Sequence, residues 1–138
     1  MQFTRAEEYG IRGIIYLATQ EPGHVVTLSE IATEQCVPEK FLAKIFQNLT
    51  KKGLVRSHRG VKGGFTMGKS PDQITMKDVV EAIQGPYHLS RCLDGQEKCE
   101  RYDECSVREI LEEAEEKLLQ VFGKYKIGEM AKMKYKKA

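Results

Sequence analysis

The sequence contains no apolar run approaching the roughly 20 residues needed to cross a bilayer, so no membrane partner is expected. It has no C-x-x-C pair and no recognisable Ser/His/Asp set, and the GxxxxGK[ST] match at residues 63–70 lacks the helix that a phosphate-binding loop opens. Those gaps argue against a redox enzyme, a P-loop nucleotide hydrolase and a triad hydrolase. The opening MQFTRAEEYG carries two early glutamates and lacks the apolar stretch and cleavage site of a secretory signal, which predicts a cytoplasmic protein. Net charge is also small, at +2 over 138 residues. A hydrophobic content of 41% is sufficient for a packed core, which excludes wholesale disorder.

The small total hides a strong asymmetry. Residues 39–69 hold eight Lys and Arg against Glu39 alone, for a local charge of +7, whereas residues 94–116 carry −7. The last fifteen residues hold six lysines and one acid, Glu129. Clustered Lys and Arg release condensed counterions from a phosphate backbone, so the basic segment is a candidate nucleic-acid surface. A solvated face balanced by the acidic half would look the same by charge alone, and the order of elements has to decide.

Thr4 and Glu7 have capping-box spacing, followed by Ile11, Ile14, Ile15 and Ala18 on one helical face. Thr27 and Glu30 repeat the box and open a second, short helix with Leu28, Ile31 and Ala32 inside. Cys36-Val37-Pro38 forms a turn, with Pro38 suited to the first position of a third helix. That helix is expected to bury Phe41, Leu42, Ile45, Phe46 and Leu49 and to end at Lys51, Lys52 and Gly53. Its outer face reads Lys40, Ala43, Lys44, Gln47, Asn48 and Lys51, and the two amides can pair bidentately with adenine. Two capped helices joined by a short turn, the second basic outside, predict a helix-turn-helix motif.

Residues 54–58 and 65–68 are strand-like and surround Arg59-Gly60-Val61-Lys62-Gly63-Gly64. A glycine-rich hairpin with Arg59 and Lys62 at its tip predicts a wing directed at a minor groove. A phosphate-cradling nucleotide loop is disfavoured, because no helix begins behind it. Thr75 is expected to cap a further short helix that ends at Gly85-Pro86. Beyond the long polar segment 85–105, the residues Val107, Leu111, Ala114, Leu118, Val121 and Tyr125 recur at alternating steps of four and three. That is a heptad seam on one long helix over about two and a half repeats, and such a seam favours a homodimer, since two half-sites multiply affinity.

Four cysteines are present, and Cys92, Cys99 and Cys105 fall within fourteen residues. In a cytoplasmic chain such a cluster favours a metal or redox site over disulfides. Thiolates suit iron–sulfur clusters or zinc, and three of them need a fourth ligand. His88 could complete a zinc site, and three unliganded reduced thiols are the bland alternative. Cys36 is expected to pack as a small hydrophobe.

The segments LSEIATEQCVPEKFLAKIFQNLTKKGLVRSHRGVKGGFTMGK and ITMKDVVEAIQG, the three cysteines and the final helix together resemble the Rrf-two family of winged helix-turn-helix transcription regulators, in its IscR/NsrR-like iron–sulfur branch. The resemblance runs from Met1 to about Ala131, and "KKGLV…RGxxGGF" is its specific part. It implies a homodimer with crossing long helices that binds a double-stranded DNA operator. It also implies that Cys92, Cys99 and Cys105 hold an iron–sulfur cluster, either 2Fe-2S or 4Fe-4S, whose state controls DNA affinity. Some members place a histidine ligand three residues after the third cysteine, where this chain has Arg108. Another branch uses an acidic residue from the partner subunit, at the position that matches Glu8.

The expectation is therefore a mainly α fold with a small β-hairpin wing. It divides into a winged helix-turn-helix at 1–84, a cluster-binding loop at 85–105, and a dimerisation helix with a basic tail at 106–138. The expected DNA contacts are Thr27, Leu28, Lys40, Ala43, Lys44, Gln47, Asn48, Lys51, Arg59 and Lys62. A scaffold that binds acidic proteins through the same basic face is the competing function.

Overall fold

The computed structural model describes residues 3–95 and 100–133. The element at its centre is helix α1, Arg5–Ala18, opened by the capping box predicted at Thr4 and Glu7. The Thr4 amide donates to Glu7 at 2.9 Å, and the Glu7 amide donates back to the Thr4 hydroxyl at 3.3 Å. The buried face of α1 is Glu7, Gly10, Ile11, Gly13, Ile14 and Leu17. It is rotated from the expected stripe, which leaves Ile15 and Ala18 only half-buried. The two glycines explain the rotation: a β-carbon at Gly13 would lie 2.8 Å from the Phe46 ring. The bare backbone there lets α3 approach α1 closely, so the contact runs along the glycine side.

Helix α2 spans Leu28–Gln35 with Thr27 as its N-cap, and α3 spans Glu39–Lys51. Pro38 stands at the cap of α3, one residue earlier than expected, with φ −59° already set by its ring. Between the two helices Cys36 takes a left-handed conformation, φ 54°, and is exposed. It does not pack as a small hydrophobe, because the left-handed cap turns its side chain out of the turn. α3 buries Leu42, Ile45, Phe46 and Leu49, whereas Phe41, expected in the core, is 64% exposed. At 100° per residue Phe41 falls on the flank of the buried arc rather than within it.

Strands β1, Val55–His58, and β2, Gly64–Met67, pair antiparallel with Val55 opposite Met67 and His58 opposite Gly64. Val26 adds a bridge to Phe65 through two bonds of 3.0 and 2.8 Å, which anchors the hairpin to the segment leading into α2. Gly64 makes that possible, since a β-carbon there would collide with the Val26 carbonyl. The fold is thus mostly helical with one hairpin wing, as the element order predicts. A 3-10 turn at Pro71–Gln73 leads to α4, Met76–Gln84, capped by Thr75 and Asp78.

Two further 3-10 turns, Arg91–Leu93 and Tyr102–Glu104, precede the long helix α5, Ser106–Lys124. The heptad reading carries this helix through Tyr125, but the chain becomes extended there and forms a bridge between Lys126 and Thr75. Met76 N–H donates to the Tyr125 carbonyl at 2.9 Å, and Ile127 N–H to the Ile74 carbonyl at 2.8 Å. Those bonds turn the chain back into a last helix, α6, Ile127–Lys132, whose Ile127 is fully buried in the core with Ile14, Phe46, Ile74 and Val79. Among the described residues, no helix is long and apolar enough to cross a membrane.

Candidate nucleic-acid interface and cysteine loop

Lys40, Lys44, Gln47 and Lys51 are all exposed along α3, with Ala43 and Asn48 half-buried at its margins. Thr27 is exposed, but its hydroxyl is spent on the Glu30 amide at 3.1 Å; Leu28 beside it is half-buried. The surface of α3 and the wing enclose an open groove of about 810 Å³, whose lining includes Leu28, Ala43, Gln47, Lys51, Arg56 and Arg59. Residues from three separate segments therefore converge on one cationic cleft. Arg56 is not among the DNA contacts expected from the sequence. The signal that could have found it is the alternation along β1, where Val55 points into the core and Arg56 away from it.

The wing tip is built to project. Gly60 has φ +106°, and Gly63 N–H closes the turn on the Gly60 carbonyl at 2.9 Å. Arg59, Val61 and Lys62 are exposed around it. His58 and Thr66 join across the two strands at 2.9 Å and stiffen the stem.

The helix-turn-helix is held to α1 by two polar ties. Arg12 donates to the Gln35 carbonyl at the end of α2, while its other terminal nitrogen lies 3.6 Å from Glu8. Tyr16 donates to Glu30 at 2.8 Å. Burial, together with that carboxylate and Glu34, pushes the Tyr16 phenol up to about 12. Glu8, the candidate fourth ligand, is exposed and makes an i,i+4 pair with Arg12, leaving the capping role to Glu7.

The root of the cysteine loop is held by contacts with α5. Tyr87 is buried against Phe122, ring centroids 6.0 Å apart, and its phenol is raised by burial and then by Glu7. Glu115 of α5 accepts from the Leu89 amide at 2.9 Å and lies 3.1 Å from His88 Nδ1. Cys92 follows, half-buried, its thiol donating to Ser90 Oγ at 3.3 Å. Cys105, also half-buried, occupies the N-cap position of α5. Cys99 lies outside the described residues. Among the described residues, no three His, Cys, Asp or Glu side chains assemble to hold a metal ion. Arg108 donates to the Tyr102 carbonyl at 2.6 Å and to Glu112 at 2.8 Å, and stacks over the Tyr102 ring at 4.2 Å.

None of the 19 residues of α5 is buried. Leu118, Leu119 and Phe122 rest against the core, and Leu111 is half-buried. The outward side carries Val107, Ile110, Ala114 and Val121, with Ile110 65% and Val121 51% exposed. The expected seam is thus split between two faces: Leu111 and Leu118 turn inward, Val107, Ala114 and Val121 turn outward, and Tyr125 lies past the helix end.

The family described as "Rrf2: Iron-dependent Transcriptional regulator" matches residues 3–133. The HTH-type transcriptional regulator NsrR of Bacillus subtilis (strain 168) is 28% identical over 135 residues, covering 97% of this chain and 92% of that protein. Among solved structures, CymR, described as the global cysteine regulator of B. subtilis, superposes with a TM-score of 0.80 at 26% identity, covering 96% of this chain and 97% of that one. T. potens IscR shares the fold, with a TM-score of 0.76 at 24% identity over 96% of this chain and 87% of that one.

Proposed function

This chain belongs to the Rrf2 family of DNA-binding transcription regulators, and we propose that an iron–sulfur cluster on its cysteine loop sets its affinity for an operator. In this reading a cytoplasmic homodimer places two copies of α3 and the wing on successive half-sites of duplex DNA. Lys40, Lys44, Lys51, Arg56, Arg59 and Lys62 contact phosphates and groove walls; Gln47 and Asn48 read base edges, with Thr27, Leu28 and Ala43 lining the margin. Val107, Ile110, Ala114 and Val121 form the contact between the two α5 helices, an apolar face that is exposed among the described residues. Binding, not catalysis, is the protein's work.

The donor set carries the cluster assignment. Cys92 and Cys105 close the two ends of one loop, Cys99 lies between them in sequence, and all three offer soft sulfur to iron. Cys105 stands at the N-terminus of a 19-residue helix, the favourable end of the dipole for an anionic group. When bound, the cluster supplies an iron centre responsive to oxidants and nitric oxide. Glu8 of the partner subunit is assigned as the fourth ligand on the family resemblance, and Arg108, cationic and engaged with Tyr102 and Glu112, does not compete for that place. A carboxylate is a harder donor than thiolate, which makes that corner the labile one. Ligation across the dimer would couple the loop of one subunit to α1 of the other, and so, through Arg12, to the helix-turn-helix.

Anaerobic purification followed by an absorbance spectrum and iron and sulfide assays tests the reading. Iron and acid-labile sulfide in comparable amounts, lost in any of the three Cys→Ala variants, is the expected result. Glu8→Ala should leave a cluster that decays faster; an unchanged decay rate moves the fourth ligand to His88 or Asp103. Zinc without sulfide, or no metal at all, supports a second reading: a cluster-free dimeric regulator that responds to another signal. That reading draws on the likeness to CymR.

A further inference from the structure

We propose that Phe41 is a base-reading residue, packing its ring on the 5-methyl group of a thymine in the major groove. The assignment needs DNA binding but not the cluster, so it stands or falls separately from iron–sulfur control.

Phe41 lies in the first turn of α3 and is 64% exposed, whereas Leu42, Ile45 and Phe46 around it are 4% exposed or less. A single exposed apolar side chain is ordinary on a protein surface. Three observations make this one different. It stands on the helix that carries the exposed Lys40, Lys44, Gln47 and Lys51, a surface whose charge suits a polyanion. Recognition helices contact base edges mainly through their N-terminal residues, and Phe41 is the third residue of α3. Spacings of three and seven residues also put Phe41, Lys44 and Asn48 on one row of the helix. Phe41 and Asn48 are then about 10 Å apart along the axis, roughly the rise of three base pairs.

That row pairs chemistries that the major groove can satisfy together. Thymine is the base whose major-groove edge carries a methyl group, and Asn pairs bidentately with adenine, thymine's complement. A second copy of the chain is the competing occupant for an exposed phenylalanine. Among the described residues the large exposed apolar face, however, is on α5, which packs against α4 and the start of the cysteine loop; α3 packs against α1, α2, α4 and β1. The cations beside Phe41 favour phosphate over another basic surface.

The test uses the full chain and a duplex operator selected by it from a random pool. Each thymine of the selected half-site is replaced in turn by uracil, which removes only the methyl group. One replacement per half-site is expected to weaken wild-type binding about fourfold, the value of one buried methyl. The same replacement should have no further effect on Phe41→Ala, and a smaller one on Phe41→Leu, which keeps an apolar side chain. Melting temperatures of both variants should match the wild type, since an exposed ring contributes little to the core. The proposal is overturned if no thymine methyl matters, or if Phe41→Ala leaves every uracil penalty intact. It is equally overturned if Phe41→Ala dissociates the protein into monomers, which would place the ring against a second copy. A chain that selects no sequence at all fails at operator recognition and removes the basis for this assignment with it.

Discussion

The Arg12 guanidinium donates to the Gln35 main-chain oxygen, joining the middle of α1 to the last residue of α2, one step before left-handed Cys36. The orientation of α3 is set by that turn, so a side chain far from any base governs how the recognition helix is presented. Arg12→Ala leaves the carbonyl without this donor and should lower stability by about 1–2 kcal/mol. Urea denaturation measures the loss. Operator affinity should fall by more than the removal of one remote cation explains, with an unchanged salt slope, because every phosphate-facing cation is still in place.

Replacing Arg59 and Lys62 together with alanine should weaken operator binding and reduce the slope of log affinity against log salt by up to about 2, one unit for each phosphate no longer neutralised. Both side chains are exposed at the wing tip, so the melting temperature should not move. Titrations at several salt concentrations read the slope, and an unchanged slope would remove the wing from the interface.

Ile110→Glu combined with Val121→Glu should convert the proposed dimer to monomers. These positions are preferable to Leu118, which rests on the core and would confound dissociation with unfolding. Two unpaired carboxylates in an apolar interface cost about 2–3 kcal/mol each, or more. Sedimentation of the folded variant gives the answer; a persistent dimer would assign the outward face of α5 some other role.

Glu115→Ala should loosen the cysteine loop without disturbing the DNA-binding head. The substitution strips the Leu89 amide of its acceptor and His88 of its neighbour, at a cost of about 1–2 kcal/mol. Hydrogen exchange should accelerate at residues 86–95 and stay unchanged in α1 and α3. If the loop does bind a cluster, the variant should also lose iron faster.

The parts of this protein decided by neighbouring residues could be read directly from its sequence. Thr4 with Glu7 caps α1, and Thr27 and Thr75 cap α2 and α4, because each cap is satisfied within four residues. The glycines of 60–64 mark the hairpin because the turn conformation is local. The basic face of α3 follows from its helical period alone. Nor did the Cys92, Cys99 and Cys105 grouping need a fold to be noticed. What only the tertiary structure decided is which side of each apolar stripe meets a neighbour. Ile11, Ile14, Ile15 and Ala18 form a valid stripe, but the backbone contact at Gly13 rotates α1 so that Gly13 and Leu17 face the core beside Phe46. The heptad from Val107 to Tyr125 divides because the core covers only its Leu118 side. Tyr125 leaves the helix so that the next residues can pair with Thr75 and Ile74 and deliver Ile127 to the core. These outcomes depend on surfaces tens of residues apart in the chain, and helical periodicity carries no information about what lies opposite.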